Sequence, residues 1–274
     1  MRKAFNKAFE DYLIHIRLSE SEFKRKIIEK TKIDFKYSIG SFYGNQLVGF
    51  LFHTVEQYQN HKTAYNGGTG VIPASRGNQL TYHMYQFLIP KLIKNKVENC
   101  VLEVISNNKP AIKSYEKTGF KKSKFYHCLK LDTESKYLQN VRPEKINLVE
   151  SLKPKWKIYE EFCDYDASFL DTFIMLKKNI KFEKVVEAYQ GEELVGYIIY
   201  NKKMGRVANI AVHKKKRGLG IGTSLIKRMY TDCHKKPIYI LNVDEKSYNL
   251  LNFFLRVGFK NDIDQFELIL KLTS

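Results

Sequence analysis

Glycines placed between a strand pattern and a helix pattern let the backbone itself do chemistry. In the second half of the chain, the apolar stretch Val207–Val212 leads through Lys214, Lys215 and Lys216 into Arg217-Gly218-Leu219-Gly220-Ile221-Gly222, then an amphipathic stretch from Thr223 to Tyr230. Amides at a helix N-terminus carry partial positive charge, glycines let a ligand approach the main chain, and the flanking cations strengthen the field. The pattern therefore reads as a pyrophosphate cradle. In the first half, Arg76-Gly77-Asn78-Gln79-Leu80-Thr81 opens another helical stretch, with Gln79 and Thr81 where the second half has Gly220 and Gly222. These side chains crowd a phosphate, but a helix-terminal amide is expected in right-handed dihedrals open to any residue, so Gln79 keeps its donor.

A second group of candidates lies downstream in the first half. Leu102-Glu103-Val104-Ile105 reads as strand, Asn108 stands before Pro110 as an N-cap precedes a first helical turn, and Tyr115 sits on the helix that closes at Thr118-Gly119-Phe120. A strand glutamate either accepts a proton or meets solvent or a lysine. A helix tyrosine either donates one or packs in the core. The residue types alone leave both open. No pair among the seven histidines has HxxxH spacing, so no metal is expected. Cys100, Cys128, Cys163 and Cys233 are scattered without a CxxC pair and read as reduced structural thiols.

Positioning these groups takes a framework, and the chain writes it twice. Tyr43-Gly44-Asn45-Gln46-Leu47-Val48-Gly49-Phe50 returns as Gln190-Gly191-Glu192-Glu193-Leu194-Val195-Gly196-Tyr197, Arg76-Gly77 returns as Arg217-Gly218, and Thr118-Gly119-Phe120 as Val257-Gly258-Phe259. Phe125–Leu131 and Phe266–Leu272 also correspond, each read as ending its own copy. In the first copy the later elements are predicted at Thr63–Ile72, Asn78–Asn95, Cys100–Ile105, Lys109–Thr118 and Phe125–Leu131. Strand, helix, strand implies a parallel crossover inside an otherwise antiparallel sheet. Phe5, Ala8, Phe9 and Tyr12 recur at helical spacing and face the core or line an acceptor cleft. The polar stretch Asp132–Lys155, with Pro143 and Pro154, suits a connector, giving domains 1–134 and 135–274. The fold class is α/β of the α+β type, each copy a mixed, mostly antiparallel twisted sheet flanked by helices.

Composition bounds the partners. A chain of 274 residues suits two domains, and 43% hydrophobic with 14% aromatic residues supplies their cores. No apolar stretch approaches the roughly 20 residues that cross a bilayer. Lys7, Glu10 and Asp11 interrupt any signal-peptide core, so a cytoplasmic protein without a membrane role is expected. The net charge of +18 suits phosphorylated cofactors, acidic proteins or nucleic acid, yet the lysines are spread along the whole chain without a nucleic-acid motif. Nucleic acid is accordingly the weaker expectation.

Arg217-x-x-Gly220-x-Gly222 resembles the acetyl-CoA loop of the Gcn5-related N-acetyltransferases (GNAT). Leu102 to Phe120, with its Leu-Glu-Val, Asn108, Ala111-Ile112, Tyr115 and Gly119-Phe120, resembles that family's second motif, especially in the ribosomal-protein N-terminal alanine acetyltransferases. Tyr65 to Thr81 is similar to bacterial tandem members of the family. The resemblance implies two tandem GNAT folds, acetyl-CoA as cosubstrate and a primary amine as acceptor. It implies Tyr115 as proton donor to the departing thiolate, a phenol near pKa 10 lying not far above a thiol at about 8.5. Glu103 would relay the amine proton through water, and Asn108 would hold the pantetheine arm. The backbone around Val71 and Ile72, and around Ala211 and Val212, is expected to pair with that arm and donate an amide. Arg76 and Arg217 are read as phosphate contacts.

In the second copy Asn242, Ser247 and Phe254 stand where the first has Glu103, Asn108 and Tyr115. The first copy is therefore expected to catalyse, while the second binds acyl-CoA without turnover, supports the fold or helps build the acceptor site. Glu10, Asp11, Glu20 and Glu22 either offer a cationic acceptor an acidic lining or are solvated helix faces. Two other classes compete: a non-catalytic acyl-CoA-binding or sensing protein, and a basic RNA- or ribosome-binding protein. A monomer or a homodimer fits, since a tandem pair can supply within one chain what single-domain relatives obtain by dimerising.

Overall fold

The computed structural model describes residues 1–12, 16–132, 138 and 145–272. The expected boundary near residue 135 and Pro143 lie outside the described residues. Contacts divide the chain into two units, residues 1–124 with 266–274, and residues 125–265.

The first unit opens with α1 (Arg2–Ala8) and α2 (Glu20–Phe23), the latter started by a capping box between Ser19 and Glu22. There follow β1 (Ile39–Tyr43), β2 (Gln46–Tyr58), β3 (His61–Val71), α3 (Leu80–Lys94), β4 (Asn99–Ile105), α4 (Lys109–Thr118) and the start of β5 (Lys121–Leu131). The second unit holds the rest of β5, then β6 (Ile146–Glu150), α5 (Trp156–Phe162), α6 (Phe173–Asn179), β7 (Lys184–Gln190) and β8 (Glu193–Asn201). It continues with β9 (Arg206–Val212), α7 (Ile221–Asp232), β10 (Ile238–Asp244), α8 (Tyr248–Val257) and the start of β11 (Lys260–Lys271).

Strand order is β1-β2-β3-β4-β11 in the first unit and β5-β10-β9-β8-β7-β6 in the second. Both contain the expected parallel crossover, β3-α3-β4 and β9-α7-β10. β8 is buried from Leu194 to Asn201, with both of its faces covered. Val195, Ile198 and Tyr200 enter one core with α7 residues, while Leu194, Tyr197 and Ile199 enter another with α5 residues.

The closing strands are exchanged, and this corrects the expectation that each ends its own copy. Tyr126–Leu131 pairs antiparallel with Ile238–Asp244 in the second unit. Leu268, Leu270 and Leu272 join the core of the first unit, where Leu272 N–H donates to Glu98 O at 2.8 Å.

Two local features recur in both units. β3 carries a bulge at Gly67, where the pairing steps from Phe52↔Gly68 to His53↔Asn66. β9 carries the same bulge at Ala208, between Ile199↔Asn209 and Tyr200↔Val207. The parallel pairs are also short: β3 meets β4 only over Thr63–Tyr65 and Asn99–Val101, and β9 meets β10 only over Arg206–Val207 and Tyr239–Ile240. Beyond these points the strands separate and leave a gap edged by backbone. Among the described residues no helix is long and apolar enough to cross a membrane, and no group of His, Cys, Asp or Glu side chains is placed to hold a metal.

Candidate active site

The gap between β3 and β4 opens into a cleft of about 640 Å³. Its edges follow from strand parity. Ile72 N–H donates to Val48 O at 2.9 Å, so in an antiparallel pair the polar groups of Val71 and Thr69 point the other way, into the gap. Ile72, expected to share in holding a ligand, therefore has its amide bound within the sheet. Val71, Arg76, Gly77, Gln79, Leu80, Thr81, Asn108 and Tyr115 all line the cleft, together with Ala8, Phe9 and Tyr12 from the opening segment. Asn78 and Glu103 do not. Asn78 is exposed and donates to Ser75 O at 3.2 Å.

His83 N–H makes the first bond of α3, to Gln79 O at 3.1 Å, so the amides of Leu80, Thr81 and Tyr82 have no partner inside the helix. These are the amides expected to form an anion cradle, and they sit in a different residue geometry from the one expected. Gln79 does not adopt right-handed dihedrals: it holds φ 54° and ψ 25°, the left-handed conformation of Gly220 in the second loop at φ 78°. For a residue with a Cβ this costs about 1 kcal/mol. The loop keeps its path because helix entry demands that turn whatever residue occupies it. The Gln79 side chain accepts from Lys117 Nζ on α4, across the cleft.

Arg76 also departs from expectation. Its Nη1 and Nη2 donate to the two carboxylate oxygens of Asp11 at 2.5 and 2.8 Å, Nη2 to Ala8 O at 3.0 Å, and Nε to Val71 O at 3.2 Å. Hydrogen bonding to this guanidinium holds the Asp11 carboxyl below its usual range. The arginine ties the end of α1 to the end of β3 and has no donor set directed at a phosphate. The second unit repeats the device: Arg217 donates to Asp164 Oδ2 at 2.7 Å, Phe162 O at 3.3 Å and Val212 O at 3.1 Å. Glu10 pairs with Lys7, and Glu22 with Lys26 and the Ser19 cap. Of the four carboxylates offered as an acidic lining, only Asp11 reaches the cleft.

Tyr115 stands at the head of a buried polar chain that sequence reasoning missed. The Gly67 bulge puts Asn66 and Thr69 on one face, and Asn66 Nδ2 donates to Thr69 Oγ1 and to Tyr85 Oη, each at 2.6 Å. Gly68 N–H donates to Asn66 Oδ1 at 2.9 Å, which fixes the amide's orientation. Tyr85 Oη lies 3.4 Å from His53 Nε2, a fully buried imidazole whose pKa burial pushes down to about 3. At the other end the Thr69 and Tyr115 hydroxyls hydrogen-bond each other. Burial pushes this phenol up to about 12, with the Thr69 bond opposing.

Asn108 does two things. Its Oδ1 caps α4 by accepting from Ala111 N at 3.3 Å, and its amide hydrogen-bonds the Tyr12 hydroxyl. Glu103 lies on the strand face opposite Leu102 and Val104, which pack with Tyr115, and accepts from Tyr65 Oη at 2.5 Å. The structure thus puts Glu103 and Tyr115 on opposite faces of the sheet.

The second unit has its own cleft of about 640 Å³, lined by Ala211, Val212, Arg217, Gly218, Gly220, Ile221, Gly222 and Thr223, with Phe253 and Arg256 from α8. Leu219 is exposed outside it. Gly222 is required by packing as well: a Cβ there would meet the Phe253 ring at 3.0 Å. In the first unit Thr81 and Ser114 occupy the corresponding positions and both line the cleft, so bulk has moved from one wall to the other. The polar chain is absent from the second unit, where Phe254, Ile210, Val207 and Ile226 replace Tyr115, Thr69, Asn66 and Tyr85.

Comparison with known proteins agrees with this duplicated architecture. The sequence matches the acetyltransferase (GNAT) family over residues 2–120 and the acetyltransferase (GNAT) domain over residues 158–268. A tandem GNAT protein from the clavulanic acid biosynthesis pathway superposes with a TM-score of 0.73 at 12% identity, covering 100% of this chain and 94% of that one. A GCN5-related N-acetyltransferase from Sphaerobacter thermophilus gives 0.73 at 13%, covering 100% and 92%. A glucosamine N-acetyltransferase region of a fungal multi-domain beta-N-acetylglucosaminidase gives 0.68 at 14%, covering 97% of this chain and 36% of that one. No curated protein matches the sequence significantly. At these identities the structural likeness speaks to the fold.

Proposed function

Because the chain belongs to the GNAT acetyltransferases, with one such domain in each half, we propose that its first unit transfers the acetyl group of acetyl-CoA to a primary amine. The observation that carries this reading is the convergence of three features in one cleft: amides without a helical partner at the α3 start, the β3 edge at Thr69 and Val71 turned away from β2, and the Tyr115 side chain. The amides of Leu80, Thr81 and Tyr82 hold the pyrophosphate, and the edge of β3 aligns the pantetheine arm. As the amine nitrogen bonds to the thioester carbon, a β3 amide stabilises the developing oxyanion. The carbon–sulfur bond breaks, and Tyr115 gives its proton to the leaving thiolate. Glu103, held by Tyr65 on the opposite face, takes the amine proton through water.

The second unit retains the cradle and lacks the acid, with Phe254 fully buried at the tyrosine's position. It binds cofactor without turnover. For the acceptor, a peptide with N-terminal alanine is the first to try, given the motif from Leu102 to Phe120, followed by lysine peptides, a polyamine and glucosamine. The test is thiol release from acetyl-CoA with each amine, together with mass analysis of the product. Tyr115→Phe lowers kcat about a hundredfold while leaving acetyl-CoA affinity unchanged. Full activity in that variant, with loss on Gly222→Glu, would move catalysis to the second unit.

A further inference from the structure

Asp11 and Asp164 hold equivalent arginines, so the residues that follow them, Tyr12 and Tyr165, occupy equivalent places at the two clefts. Their hydroxyls go to different partners. In the first unit Tyr12 hydrogen-bonds Asn108, the residue that caps α4. In the second unit Ser247 replaces Asn108, and Tyr165 Oη turns to the backbone of β9, accepting from Ile210 N–H at 3.3 Å and donating to Ile210 O at 3.4 Å.

Ile210 corresponds to Thr69, an edge residue of the gap. His213 N–H donates to Val195 O at 2.9 Å, which by the same parity turns the polar groups of Val212 and Ile210 into the space between β9 and β10. Val212 lies nearer the glycine loop and lines the cleft with Gly220 and Gly222. Ile210 lies one step deeper, where its N–H and C=O are both taken by the tyrosine. Tyr165 also lines an adjoining cavity of about 550 Å³ with Asp244 and Ser247, so the ring stands between the cradle and the space beyond it.

We propose that the second cleft is a site for coenzyme A with a free thiol that rejects acyl thioesters, because Tyr165 seals the strand-edge amide at which a thioester carbonyl would dock. This rests on the reading of the second cleft as a cofactor site and gives it a ligand of its own, the product of the reaction in the first. The cradle takes the nucleotide, Val212 offers the edge for the pantetheine arm, and the phenol stops the chain short of an acyl group.

The test uses the full chain carrying Thr81→Glu, which places a carboxylate in the first cradle and leaves the second site for calorimetric titration. Coenzyme A is expected to bind about tenfold more tightly than acetyl-CoA. Adding Tyr165→Ala brings the two ligands to within about twofold by strengthening acetyl-CoA binding, and Tyr165→Phe, which keeps the ring but not the hydroxyl, narrows the ratio in the same direction. Equal affinity for the two ligands with Tyr165 intact overturns the selectivity while leaving the cofactor reading in place. Binding of neither ligand, with no heat for Gly222→Glu to remove, overturns both.

Discussion

Asn66 holds its amide oxygen against Gly68 N–H, so both of its protons have fixed directions, one to Tyr85 and one to Thr69. The Thr69 hydroxyl, which accepts from Asn66, continues this chain to the Tyr115 hydroxyl. Thr69→Val is therefore expected to lower kcat about tenfold with little change in acetyl-CoA KM, and Thr69→Ser to restore it. In a Tyr115→Phe background the Thr69→Val loss vanishes, whereas a persistent loss there assigns Thr69 a structural role. His53 supplies a second prediction. The unfolded chain takes up a proton as pH falls through about 6.5, while buried His53 resists until about 3, so stability is present above that window and drains away as pH falls through it. The slope from this group is about 0.7 kcal/mol per pH unit at pH 6.5 and approaches about 1.4 kcal/mol per pH unit a unit or more below it. Urea midpoints measured from about pH 7 to pH 5 should fall, and the fall should be shallower in His53→Gln.

Helix starts, strand edges and clamps belong to the next scale. The turn into α3 keeps left-handed dihedrals at Gln79 although glycine fills that slot in the second unit. Gln79→Gly should raise the unfolding free energy by roughly 0.5 kcal/mol, since relief of about 1 kcal/mol of strain outweighs the extra freedom that glycine gives the unfolded chain. It also removes the acceptor that Lys117 reaches across the cleft. Unchanged urea stability would mean that this side-chain bond offsets the strain. Phe253 and Gly222 make the complementary case: Gly222→Thr, copying Thr81, should destabilise the second unit unless Phe253→Ser is made with it. Each loop fits the helix it faces.

At the scale of the whole molecule, each unit completes its sheet with a strand encoded next to the other. A chain ending at residue 134 lacks Leu268, Leu270 and Leu272, which pack in the first core. Deleting one buried leucine side chain costs about 2–5 kcal/mol against a total stability of about 5–15 kcal/mol. Fragment 1–134 is accordingly expected to show no cooperative thermal transition, and a peptide spanning 260–274 to restore one, followed by circular dichroism. A sharp transition for the fragment alone would show that the exchange is dispensable.

Local pattern determined the duplicated order of elements, the parallel crossover, the α4 bounds with the Asn108 cap, and the family, because periodicity, capping and glycine turns are written within a few residues of where they act. The direction of a side chain is not. Arg76 turned to Asp11 and Tyr165 to Ile210 because partners distant in sequence satisfied them first, and it was the packing of α4 on the Leu102 and Val104 face that left Glu103 opposite Tyr115. His53, Asn66 and Tyr85 have no mutual spacing, and only a bulge and a helix packed on the sheet made them one chain. The exchange of the closing strands was equally hidden: Phe125–Leu131 and Phe266–Leu272 carry such similar apolar patterns that either could close either sheet, and tertiary packing alone decided which did.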